Sequence, residues 1–145
     1  MIEVLQKLVD ELTAFQEGAD AIVIDIVKDK QRFVLGLNRG QLFNGKDSNG
    51  DEMSPSYADS TIERKRRKGS PYDRVTLKDE GDYHESLEID FGPSSFLMGS
   101  QDTKAIYLER RYGVHVYGLT PQSIDELAKE VEPDLIGELK KRIQI

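Results

Sequence analysis

Apolar residues recur at steps of three and four at both ends of this chain, and that spacing constrains its fold more than any other feature. Near the start the stripe is Ile2, Leu5, Leu8, Val9, Leu12 and Phe15, with Glu3, Lys7, Asp10 and Glu11 on the opposite side. Near the end it is Ile124, Leu127, Val131, Leu135, Leu139 and Ile143. A period of 3.6 with one apolar face is the mark of an amphipathic helix that needs a partner to cover it. The first helix is expected to be punctuated by Gly18. The last is expected to open at Thr120-Pro121, a capping hydroxyl followed by Pro in the first turn, and to be kinked or split at Pro133.

Between them the pattern changes. Residues 20–44 include a β-branched run, Ile22 to Val27, yet Ile22, Ile26, Phe33, Leu37 and Leu42 also form a broad helical face. No turn residue separates Val27 from Phe33, so a long helix ending near Gly45 is predicted. Gly45 to Glu52 is dense in turn residues and reads as a loop. Ser54-Pro55 suggests a short helix through Lys68, closed by Gly69. Val75–Leu77 and Ser86–Phe91 read as extended, joined by a turn at Asp79-Glu-Gly81. In the second, Leu87, Ile89 and Phe91 alternate with Glu88 and Asp90, which is the half-buried strand pattern. Gly92-Pro93 turns into a third strand, Ser95–Met98, and residues 103–112 form a short helix ending at Gly113. The expected fold is α+β over a single domain, 1–145: N-terminal helices, a small antiparallel sheet in the middle and a long C-terminal helix.

Composition removes several functions. The 145 residues contain no cysteine, which excludes a disulfide framework, thiolate metal sites and a thiol nucleophile. A net charge of −7 argues against a global embrace of DNA or of an anionic membrane. No apolar run approaches the roughly 20 residues of a membrane span, and Met1-Ile-Glu-Val lacks a basic leader, so a soluble, unexported protein is expected.

Motif chemistry is sparse. Asp47-Ser-Asn-Gly-Asp51 starts like a calcium loop, but Glu52 and Ala58 occupy the positions where such a loop needs Gly and a bidentate Glu. It reads as an Asn-Gly turn. His84 and His115 are the only histidines, and neither belongs to a compact ligand motif, so no metal or cofactor is expected. No phosphate cradle, nucleophile elbow or Ser/His/Asp motif is present, and no enzymatic activity is expected. A metal-dependent hydrolase around Asp47 or His84 is one reading of these side chains.

Charge is patterned more clearly. Residues 62–78 carry seven cations, among them Arg64, Lys65, Arg66, Arg67 and Lys68, against two acids. Residues 79–90 carry six acids, including Glu80, Glu85 and Glu88, and no Lys or Arg. Such blocks mark a solvated, internally paired face or an interaction surface. The basic block suits phosphates, so a nucleic-acid-binding accessory role is one reading. Pairing of the basic block of one copy with the acidic segment of the next, which builds rings or filaments, is another.

Val75-Thr-Leu-Lys-Asp-Glu-Gly-Asp-Tyr-His-Glu-Ser-Leu-Glu-Ile89 resembles a hairpin, Leu-x-x-Thr-Gly-x-Leu/Tyr-x-x-Ser-Leu/Ile-x-Ile, of head–tail joining and tail-completion (neck) proteins of tailed bacteriophages. Gln41–Gly50, Arg67–Leu77 and Tyr112–Thr120 are similar to related proteins of phages and prophages of Bacteroidetes-type hosts. Position 80 holds Glu where that family usually shows Thr, while Gly81 keeps the turn glycine. The resemblance implies a non-enzymatic structural protein of the virion, assembled in the host bacterial cytoplasm. Its partners would be portal, connector or tail proteins and further copies of itself in a ring, with no membrane role.

Overall fold

The computed structural model describes residues 2–143. The α+β expectation holds: helices dominate, with one two-stranded antiparallel sheet mid-chain and a long C-terminal helix.

Helix α1 (Ile2–Asp29) runs without interruption through Gly18, where a stop was expected. A glycine inside a helix costs only about 1 kcal/mol, and the packed run Ile22–Val27 behind it outweighs that. The β-branched segment is therefore helical. The break comes later, at Lys30, and α2 (Gln31–Phe43) starts anew, so the predicted single helix over 20–44 is the end of α1 plus α2. Lys30 has non-helical φ/ψ and reaches Asp134 at 3.1 Å and Glu130 at 3.6 Å.

The loop after α2 is a tight turn. Asp47 Oδ1 accepts from the backbone N–H groups of Asn49 (2.9 Å) and Asp51 (3.0 Å). Helix α3 (Asp59–Lys68) begins four residues beyond Pro55, which lies in a bend and does not open a helix. It ends as predicted at Gly69, with Ser70 N–H donating back to Lys65 O.

The predicted hairpin between 75–77 and 86–91 does not form. Val75, Thr76 and Leu77 are buried, but side chains rather than a partner strand take the Thr76 backbone: its N–H donates to the Tyr57 hydroxyl (2.9 Å), and His84 Nε2 donates to its O (2.7 Å). Leu77 at φ 54 ends the extended run. Gly81, at φ 99, precedes the one-turn helix α4 (Asp82–Glu85) instead of joining two strands. The sheet pairs β1 (Leu87–Phe91) with β2 (Phe96–Ser100), in register Leu87↔Ser100, Ile89↔Met98 and Phe91↔Phe96, around the turn at Gly92-Pro93.

Helix α5 (Ala105–Tyr112) ends at Gly113, and a 3₁₀ turn over Val114–Val116 leads to α6 (Pro121–Ile143). Thr120 Oγ1 accepts the Ser123 N–H at 3.1 Å, the predicted cap. Pro133 does not split α6. It sits on the exposed side, where water can take the carbonyl its missing N–H leaves free.

Two apolar cores result. One gathers Leu42, Met53, Val75, Leu77, Tyr83, Leu87, Ala105 and Val116. The other joins α1, α2 and α6 through Ile22, Ile26, Val27, Val34, Leu127 and Val131, and Phe91, Phe96 and Met98 of the sheet pack against it. Helix α2 serves both, through Leu42 in the first and Val34 in the second. Its amides also hold the segment leading to α6. Asn38 Nδ2 donates to Val116 O (3.1 Å), Gln41 Nε2 to Gly118 O (2.9 Å), and Gln41 Oε1 accepts from Thr120 N–H (2.9 Å).

Candidate interaction surface

The basic block lies on α3, and a helix cannot expose five consecutive residues on one face, because each step rotates by about 100°. Arg64, Arg66, Arg67 and Lys68 point outward; Lys65 does not. It is 3 % exposed, its ammonium donates to Lys78 O at 2.7 Å, and it sits 4.9 Å from the Tyr57 ring centre. Lys65 is thus a structural cation, a correction to its reading as an interaction residue.

Lys68 reaches Asp79 at 3.1 Å. That hydrogen bond, helped by the charges of Arg64, Lys68 and Lys65, holds the Asp79 carboxyl below the usual carboxylate range. The two charge blocks therefore meet within one chain at this edge. Glu63 takes Arg67 at 3.3 Å and Arg66 at 4.0 Å, both on exposed surface where such pairs contribute little. Among the described residues, Arg64 makes no ion pair, and neither do Glu80, Glu85 and Glu88, all exposed. Glu85 closes α4, and Glu88 stands with Asp90 on the outward face of β1. The structure gathers Arg64, Arg66 and Arg67 on one helix and Glu80, Glu85 and Glu88 on the following segment, and leaves these two sets unpaired with each other.

Beside α3 lies a cleft of about 590 Å³ whose lining includes Tyr57, Arg66, Tyr72 and Arg74, with Glu52 and Asp73. Arg66 lies 5.0 Å from the Tyr72 ring centre, and Tyr72 is 42 % exposed. Arg74 is committed elsewhere: Nε donates to Phe43 O at 2.7 Å, and Nη1 pairs with Asp73 at 2.8 Å.

The two histidines have different surroundings. His84 is buried, and burial pulls its imidazole below the ordinary value; the charges of Lys78, Arg39 and Lys65 act in the same direction. Its Nε2 donates to Thr76 O, a contact that acts in the opposite direction. His115 is exposed on the 3₁₀ turn. Among the described residues no group of three His, Asp or Glu side chains could hold a metal ion, and no helix is long and apolar enough to cross a membrane. Asp47 spends its carboxylate on its own turn.

A second surface escaped the sequence reading. Ile2, Val4, Leu5, Val9 and Leu12 of α1 are exposed, from 84 % at Ile2 to 43 % at Leu12. Their periodicity marked a helix correctly, but periodicity does not say whether the chain itself covers the stripe. Comparison of the chain with protein-family models, curated proteins and solved structures returns no match.

Proposed function

We propose that this chain is a non-enzymatic structural subunit of a tailed-phage virion, acting as an assembling head–tail connector or tail-completion protein. The reading starts from the sequence resemblance at residues 75–89, where the chain folds into the one-turn helix α4 and the start of β1 rather than the hairpin of that family. The observation that supports it is the placement of exposed charge: Arg64, Arg66 and Arg67 on α3 and Glu80, Glu85 and Glu88 on the segment after it, with no ion pair between the two sets among the described residues. A surface with one sign on one element and the other sign on the next is suited to head-to-tail contact between copies, which closes into a ring when the rotation permits. Exposed pairs contribute only about 0–1 kcal/mol each, but a ring repeats them at every interface. Portal, connector or tail proteins are the partners this role requires, and the virion is its location.

Reversing Arg64, Arg66 and Arg67 to Glu is expected to abolish assembly, and adding Glu85→Lys and Glu88→Lys to restore it in part. Light scattering and negative-stain images, alone and with portal and tail proteins, read the outcome. A double reversal that assembles no better than the single one sinks the complementary-interface idea, as does a strict monomer with no ring under any of these conditions.

A nucleic-acid-binding accessory role is the second reading, favoured by the Arg66–Tyr72 stack, since an exposed aromatic beside a guanidinium can take a base. It makes the opposite prediction for the acidic residues. Glu85→Lys with Glu88→Lys would then strengthen DNA binding and steepen its loss with salt.

A further inference from the structure

The free stripe of α1 and an apolar groove elsewhere on the chain fit one another. The groove, about 700 Å³, runs between the second half of α1 and α6; Val23, Val27, Phe96, Ile124, Leu127 and Leu135 are among its walls. Ile124 at its edge is 53 % exposed. The stripe presents Ile2, Leu5, Val9 and Leu12, the spacing by which an amphipathic helix anchors in a groove. Its polar neighbours are satisfied locally: Gln6 donates to Asp10 at 2.9 Å and Thr13 to Val9 O at 2.8 Å.

We infer that two copies of this chain associate reciprocally, residues 2–12 of each seated in the α1–α6 groove of the other. Area selects this arrangement. Five aliphatic side chains at these exposures make a patch on the order of 500 Å², near the upper end of what a monomer leaves bare. One stripe in one groove would remove roughly 1,000 Å² in total, short of the roughly 1,200–2,000 Å² of stable interfaces. The reciprocal exchange doubles that to roughly 2,000 Å², within the range, and covers both apolar features with one two-fold contact. The inference does not depend on the phage reading, and its surface is separate from the α3 charges.

The chain's lack of cysteine makes the test clean. Full-length protein carrying Leu5→Cys is mixed with protein carrying Ala128→Cys, a groove position, and cross-linked with a short bis-maleimide. The expected product is a dimer linking the two variants, in large excess over either self-linked product. Sedimentation of uncross-linked Val9→Asp and Ile124→Asp, both exposed positions whose circular dichroism should match the parent, is expected to show a dimer dissociation constant raised at least about tenfold. Self-linking of Leu5→Cys alone, absence of any cross-link, a parent that is monomeric at its highest soluble concentration, or a Val9→Asp dimer as tight as the parent's would each overturn the inference. Reversal of Arg64, Arg66 and Arg67 should leave the cross-link intact, which separates this result from the ring reading.

Discussion

Lys65→Ala isolates the one cation of the basic block that the structure places in the interior. The substitution removes a hydrogen bond from a charged donor, worth about 1.5–3 kcal/mol, and leaves Lys78 O without its partner. It also removes a cation–π contact worth about 1–2 kcal/mol and about 2 kcal/mol of methylene packing. Against these stands the relief of no longer desolvating an ammonium, several kcal/mol in the opposite direction. The expected net loss is about 2–4 kcal/mol, within the range for breaking a buried polar contact. For a chain of 145 residues, 1 kcal/mol corresponds to about 3 °C, so the thermal midpoint should fall by about 6–12 °C. Arg64→Ala and Arg67→Ala, on the exposed face, should stay within about 0.5 kcal/mol of the parent, or about 2 °C. Scanning calorimetry on the three variants compares them directly. A Lys65→Ala midpoint indistinguishable from that of Arg64→Ala would show that Lys65 belongs to the solvated face and that its carbonyl contact carries no stability.

Two further outcomes follow from geometry. Burial lowers the His84 pKa, so the unfolded chain takes up a proton near 6.5 before the folded chain does. Stability is therefore complete above that pH and declines as pH falls below it. Urea midpoints at pH 7.5 and 5.5 should show this decline, and His84→Gln, which keeps an N–H donor for Thr76 O, should flatten it; equal declines in both proteins would refute the assignment. Gly45→Ala places a Cβ 2.9 Å from Arg74 Cβ at φ 74, whereas Gly81→Ala at φ 99 meets nothing closer than Lys78 Cε at 3.9 Å. The first should cost about 2–4 kcal/mol and the second only the left-handed backbone term of about 1–2 kcal/mol, and chemical denaturation giving equal losses would contradict the packing around Arg74.

Features encoded within a few residues were legible in the sequence. The Thr120-Pro121 cap, the alternation of Leu87, Ile89 and Phe91, the turn at Gly92-Pro93 and the helix stop at Gly113 all rest on local chemistry. What depended on distant partners was not. Gly18 reads as a stop unless the packing of Ile22–Val27 is known. Val75–Leu77 reads as a strand because nothing local reveals that Tyr57 and His84 will take the N–H and C=O of Thr76. The candidate surface divides the same way. Arg64, Arg66, Arg67, Glu80, Glu85 and Glu88 are exposed as their charge suggests, while Lys65 is buried because helix rotation turns it toward Tyr57 and Lys78. The α1 stripe was read as a helix face with no sign that it would stay bare.

The position of α2 has a consequence for how the molecule comes apart. Val34 and Leu42 are both fully buried, eight residues apart on one helix, and each belongs to a different core. Displacement of α2 therefore opens both cores at once. The amides of Asn38 and Gln41 extend the linkage to the backbone of residues 116–120, which carries no sheet or helix ladder over most of its length. Cooperativity is therefore built into a single 13-residue helix. Amide exchange at α2, and at the Thr120 N–H held by Gln41, should follow global unfolding. The central helix cannot leave one core without abandoning both.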